Sequence, residues 1–415
     1  MITRFFLRCP GCSEPFAARV GVEPTTGTRF YLPCPSCALP ISAEMSGQEL
    51  ESFKVDFECE VVDQSEVGSE ASIVTVNPFV PSRYDAVSLG PSGGSPTMTL
   101  TGLLGFKRFM EFEDDRGRAI AVTEQVWPSV RMVFQYFLHE NWPMFERTAK
   151  EKLQLDKVGS TFHERTSVAY QSLMFVTITV LGQNGDRGAR IVELYGKKHS
   201  AVLSDRHYME VVRSRGAAAK QLERDLFTAI SAFIHRREAW EMGALSRYVP
   251  DTSRSELEQL VLYRDEFSIV RDLYQQGFEL ACKCLWPLVA AQNALERSGA
   301  DDFGTEHPSI VPPKQRVQSL AQFDKLPNAY KVAYAAQVPG WDSLSTLLNN
   351  RRRNTIGHAT AHHELRTGRV VSDQDPGGIS YLDFLAETLG VFEAMTSLTQ
   401  VLRAARVASS PDFGI

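Results

Sequence analysis

"NNRRRNTIGHATAHHELRTGRV", residues 349–370, decides how this chain is read. Three arginines stand together, and an asparagine and a histidine follow within two helical turns. The chain has 9 histidines, and His358, His362 and His363 all lie in this stretch. An arginine run at a helix end is ordinarily solvated and complements the negative end of the helix dipole. The histidines add two further readings. On a helix His358 and His362, four apart, share a face, as the zinc-binding pair of HExxH proteases does. HATAH lacks the intervening glutamate, however. A third ligand would have to be Glu364 or something distant, and the neighbouring guanidinium groups repel a divalent cation. In the third reading, a histidine exchanges protons near neutral pH, and adjacent arginines keep it in its base-competent form. Arginine itself clamps a phosphate and stabilises the charge that grows on a phosphorane. Together these groups suit metal-independent phosphodiester cleavage with the ribose 2′-hydroxyl as internal nucleophile, which selects RNA over DNA. At about 100° per residue, Asn354 and His358 share a helix face while Arg353 and His358 lie roughly 140° apart. Convergence therefore needs a bend near Gly357 or a second subunit that completes the site.

Working outward, short helices are expected at 315–325, 327–337 and 341–350, and a long amphipathic one over 381–408. The stretch 253–299 reads as a long amphipathic helix that starts at a serine cap and is kinked or ended by Pro287. Cys282 and Cys284 on it read as small packing residues. Residues 251–415 thus form a helical bundle with the arginine–histidine segment ahead of its last helix.

RNTIGH (353–358), in this helical setting, resembles the R-x4-6-H motif of HEPN domains, in the variant with a polar residue after the arginine. The resemblance rests on that one motif and covers the last 150–200 residues. It implies a helical bundle that dimerises, and a metal-independent endoribonuclease of the kind found in toxin–antitoxin, CRISPR-associated and phage-defence systems. Arg353 and His358 then form the catalytic pair, with Asn354 in support. Arg351 and Arg352 satisfy the longer spacings, and Asn354 favours Arg353. The resemblance further implies an RNA substrate, a composite site across a homodimer, and a phage or antitoxin partner. The alternative is a non-catalytic nucleic-acid-binding or regulatory protein.

At the other end, CPGC (Cys9, Cys12) and CPSC (Cys34, Cys37) resemble a zinc ribbon. Each CxxC aims two thiolates at one ion, and two such knuckles complete a tetrahedral set that favours zinc. Four ligands leave no open position, so this Zn2+ is structural, and no catalytic metal is expected. The segment between the knuckles alternates around TTGT as a hairpin would. KVDFECEVV (54–62) alternates as a half-buried strand with Val55, Phe57, Cys59 and Val61 on one face. The ribbon module is therefore placed at 1–62. A Ser-, Gly- and Pro-rich linker follows at 63–98, then a mixed middle region at 99–250. In that region 122–153 reads as helix interrupted near Pro128 and Pro143, 172–196 reads either as a hairpin or as a buried helix, and 206–249 is helical. The expected fold class is mainly α: a C-terminal HEPN-like bundle, a small N-terminal β-rich zinc ribbon and a mixed middle.

With 415 residues, 43% of them hydrophobic, the chain can bury more than one core. Its formal charge of −6 excludes a globally basic nucleic-acid footprint. No apolar run approaches the roughly 20 residues of a membrane span, and no signal peptide is apparent. Seven cysteines, four of them in CxxC pairs, point to metal binding in a reducing compartment, hence the cytoplasm.

Overall fold

The computed structural model describes residues 1–47, 52–69, 71–83, 95–182, 186–338, 340–357 and 360–410. The chain is mainly helical, with small β-sheets near its N-terminus. It divides into two compact units, each drawn from separate stretches: 1–113, 238–272 and 354–386 make the first, and 114–237, 273–353 and 387–415 the second.

The first unit is built on β-strands. β1 (Ile2–Arg8), β2 (Pro15–Gly21), β3 (Thr25–Pro33), β4 (Pro40–Gly47), β5 (Lys54–Phe57), β6 (Glu60–Val61) and β7 (Ile73–Val76) form two sheets, ordered β6-β1-β2-β7 and β3-β4-β5. β4 shows why the sheets pack: Ile41, Ala43 and Met45 are buried while Glu44 between them is exposed, the period-2 pattern of a strand with one face on a core. β3 is buried on both faces. Phe30, with its ring 6.2 Å from that of Phe57, and Tyr31, 5.3 Å from Tyr263, are both fully buried. Leu7, Phe16, Val20, Phe30, Ile41 and Val74 share one core with Val261 and Tyr263 from far along the chain.

Four expectations are corrected here. The segment between the knuckles is no hairpin: β2 pairs with β1 and β3 pairs with β4, so it runs from one sheet into the other. TTGT (25–28) lies within β3 at a register shift, not at a turn. The strand expected over 54–62 breaks between β5 and β6, and Val61 is 60% exposed. Part of the stretch read as linker is core: β7 pairs parallel with β2, and Val74, Val76 and Phe79 are buried. Three apolar residues and a buried Thr75 suffice for a short parallel strand covered on both faces.

Further strands complete this unit. β8 (Ser82–Arg83) pairs with β9 (Leu260–Val261). β10 (His362–Glu364), β11 (Arg369–Ser372) and β12 (Asp375–Ser380) form an antiparallel sheet. The expected helix from Ser253 is thus replaced by a short turn of helix, Arg254–Leu257, and then β9; the long helix begins at Phe267 and ends at Lys283. HHELRTGRV is a hairpin with a four-residue turn, closed by Gly368 N–H donating to the Glu364 carbonyl at 2.9 Å. Gly368 has φ +65°, and a Cβ there would meet Val261 at 2.7 Å.

The second unit is helical. The dipeptide Trp-Pro opens three of its helices, Trp127–Leu138, Trp142–Leu153 and Trp286–Glu296, where proline lacks an N–H that would go unpaired anyway. Upstream of Pro128 a π-helical segment, Val122–Val126, links two α-helices and absorbs the missing hydrogen bond. Residues 172–181 and 186–196 resolve as helix: they belong to Phe162–Leu181, opened by a Thr161–Glu164 capping box, and to Asp186–Val202. The last helix, Tyr381–Ala408, has the expected bounds, but residues 391–399 are buried all round rather than on one stripe. Its hydroxyls are satisfied internally, Thr396 donating to the Phe392 carbonyl and Thr399 to that of Met395. Buried Glu393 accepts from Gly188 N–H at 2.8 Å and so caps the helix Asp186–Val202.

Candidate metal centre and arginine helix

Each CxxC is the tip of its own hairpin, β1–β2 or β3–β4, and the two tips share one geometry. Ser13 N–H donates to the Cys9 carbonyl and Ala38 N–H to the Cys34 carbonyl, both at 2.9 Å. Ser13 (φ 62°) and Ala38 (φ 59°), each four residues after the first cysteine of its pair, are left-handed. For non-glycine residues that conformation costs about 1–2 kcal/mol each. Gly11 N–H points at Cys9 Sγ and Ser36 N–H at Cys34 Sγ, both at 3.4 Å.

The four Sγ atoms of Cys9, Cys12, Cys34 and Cys37 lie within 4.8 Å of one another. Cys9 and Cys37 are 3.6 Å apart and Cys12 and Cys34 3.7 Å. Four thiolates about 2.3 Å from a tetrahedral ion stand about 3.8 Å from each other, so the donor set is compatible with a structural metal such as zinc. Burial opposes ionisation of Cys9, but the N–H groups of Cys12 and Gly11 outweigh it and bring the thiol down to about 7. At Cys34 burial dominates and pushes the thiol up to about 12. A cation held by the four cysteines would supply the missing stabilisation of these anions. Cys59 is half-buried against the core and stands outside the cluster. Cys282 and Cys284 are both buried, as packing residues should be.

The arginine run forms the helix Asn350–Gly357. Asn349 opens it, its side-chain oxygen accepting from Arg352 N–H at 3.1 Å while its amide donates to Glu387 at 3.2 Å. Arg353 is anchored: its guanidinium pairs with Glu279, whose carboxylate also accepts from Asn328 at 2.6 Å. Glu279 lies 74 positions upstream, and no spacing rule connects it to the motif. Asn354 and Arg351 are exposed, and Ile356 is buried. His358 lies outside the described residues, so the structure does not place it relative to Arg353.

His362 and His363 sit on β10, not on a helix, and their side chains point to opposite faces. His362 is exposed, its Nδ1–H donating to the Thr360 carbonyl at 3.0 Å. His363 turns inward, stacked 4.4 Å from Tyr381 and edge-on to Tyr31 at 5.9 Å. Neither of its ring nitrogens has a hydrogen-bond partner. Among the described residues, the four cysteines are the one group of three or more His, Cys, Asp or Glu side chains placed to hold a metal.

Burial, and secondarily His362, holds the His363 ring down to about 4, below its unfolded value of about 6.5. Its contribution to stability is therefore complete above pH 6.5 and lost as pH falls through about 4. The urea midpoint of the parent should drop between pH 7 and pH 5 by more than that of His363→Phe. Equal drops would show that His363 carries none of the acid sensitivity.

No family model, no curated protein and no solved structure matches this chain.

Proposed function

We propose that the chain is a metal-independent endoribonuclease, with Arg353 and His358 as its catalytic pair, Asn354 in support, and a structural zinc on the four cysteines. One observation carries the reading: an arginine-rich helix fixes Arg353 through Glu279 and ends one residue before His358. A guanidinium held in place is pre-organised for a phosphate. In this reading His358 takes the proton from a ribose 2′-hydroxyl, and that oxygen attacks the adjacent phosphorus. Arg353 stabilises the phosphorane, and the P–O5′ bond breaks. A second acid, His358 of another copy in a homodimer, protonates the leaving oxygen. The products are a 2′,3′-cyclic phosphate and a 5′-hydroxyl. Such an activity suits a toxin or antiphage effector acting in the cytoplasm, and the cysteines, all without disulfides, fit a reducing compartment.

A second reading, a nucleic-acid-binding protein without catalysis, is favoured by the same ion pair, since Glu279 offsets the charge of Arg353. The two separate on one experiment. The purified chain should cut a labelled single-stranded RNA without added divalent ions and leave a cyclic phosphate. His358→Ala and Arg353→Ala should each lower the rate by at least about a hundredfold. Cleavage at the parental rate in both variants would reject the assignment, and salt-dependent binding without cleavage would leave the second reading.

A further inference from the structure

Within the helical unit, a cavity of about 350 Å³ lies where Thr161 opens the helix Phe162–Leu181. Three cations line it: Arg165, Lys220 and Arg406. Glu140 is the acidic residue on its wall, so the lining side chains carry a formal excess of two positive charges in a chain whose net charge is −6. That excess stands out against the general acidity.

The cations are held in position. The Arg165 guanidinium lies over the Trp142 ring, 4.8 Å from its centroid. That of Arg406 lies over Phe162 at 5.7 Å. Arg406 is also tethered from behind by Glu223, 3.5 Å away and 2% exposed. Tyr170 donates to the same carboxyl. Lys220 pairs with Glu140, and that hydrogen bond keeps the Glu140 carboxyl below the usual range. Stacked guanidinium planes lose little freedom when an anion arrives, which lowers the entropic cost of binding it.

We infer that this cavity binds a phosphate monoester carried by a small molecule of mononucleotide size. A phosphate monoester is an anion that these cations attract, and the fork of each guanidinium can take two phosphate oxygens. A cavity of this size lies in the range for small ligands. The site involves neither the arginine helix nor the metal centre, and it stands whether or not the chain cleaves RNA.

The test is titration of the chain with AMP and, separately, inorganic phosphate, followed by calorimetry at low ionic strength. The Arg165→Gln/Lys220→Gln double variant should bind AMP at least about tenfold more weakly than the parent. Lys157→Gln, at an exposed lysine that does not line the cavity, should bind as the parent does. Thermal midpoints of both variants check that the fold is retained, since both cavity positions are partly exposed. AMP and phosphate binding that is equally weakened by Lys157→Gln would show non-specific charge attraction and overturn the inference. So would an unchanged affinity in the double variant. A 5′-hydroxyl RNA oligonucleotide that displaces AMP at equal concentration would replace the monoester by the phosphodiester backbone and overturn it as well.

Discussion

Replacing Cys34 by serine is expected to strip the metal from the chain and melt the strands around it. Cys34 is 2% exposed, and its sulfur stands 3.7 Å from that of Cys12. A serine hydroxyl is shorter and does not ionise, so the site drops to three thiolates around a buried gap. Structural zinc in small cysteine-rich modules contributes about 10–16 kcal/mol of apparent binding free energy, comparable with the whole stability of a domain, about 5–15 kcal/mol. In a zinc-loaded chain, part of that free energy would offset the cost of two left-handed residues, Ser13 and Ala38. The measurement pairs elemental analysis with limited proteolysis. The parent should hold one zinc per chain and resist cleavage within residues 1–47. Cys34→Ser should hold none and be cut there. Cys59→Ser and His362→Ala should keep the metal, because neither residue belongs to the cluster. Full zinc content and unchanged protection in Cys34→Ser would sink the assignment.

The next largest effect belongs to Arg264, which is 1% exposed in the first unit. Its guanidinium pairs with Glu266 at 2.9 Å and lies over Phe79, 5.6 Å from the ring centroid. It also donates to the Glu238 carbonyl and to the Thr28 hydroxyl on β3. Thr28 and Thr25 hydrogen-bond each other at 2.8 Å, and Thr25 donates to the Glu238 carboxylate at 3.0 Å, which closes the network. Arg264→Met keeps much of the length but removes the guanidinium that the buried Glu266 carboxylate pairs with. Breaking a buried pair in this way costs about 3–5 kcal/mol. Arg264→Met/Glu266→Gln should regain part of the loss, since removing the Glu266 charge removes the cost of burying it apart from this guanidinium. Urea unfolding of the parent, the single and the double variant decides it. A loss below about 1 kcal/mol in Arg264→Met, or a double variant no more stable than the single, would show that the pair is not coupled in this sense.

Local features of the fold were legible in the sequence. The two CxxC pairs were, because ligand geometry demands short spacings. So were the bounds of Tyr381–Ala408 and the interruptions near Pro128, Pro143 and Pro287, where proline chemistry acts within one turn. What could not be read depends on partners distant in sequence. β2 and β3 look like one hairpin until β7 and β4 claim them. HHE and DPGGIS carry no alternation, so β10 and β12 gave no strand signal and the histidines were placed on a helix. Arg353 was singled out, but Glu279, which fixes it, was not, since an ion pair across 74 positions leaves no local trace. The cavity cations come from segments scattered between residues 140 and 410, each an ordinary helix-surface residue by itself.

The shared core of the first unit has a consequence for how the protein is made. The two cysteine hairpins are complete once residue 47 has left the ribosome, whereas Val261 and Tyr263 belong to the same apolar cluster. At about 5–20 residues per second, synthesis separates Val76 from Val261 by roughly 10–40 s. During that interval the N-terminal sheets present an unfinished apolar face. The knuckles need only local chain, so a metal ion bound there would hold the hairpins together until the later strand arrives. An excised fragment of residues 1–62 would carry the ligands without the lid of its own core, and the same exposed face would make it prone to aggregate.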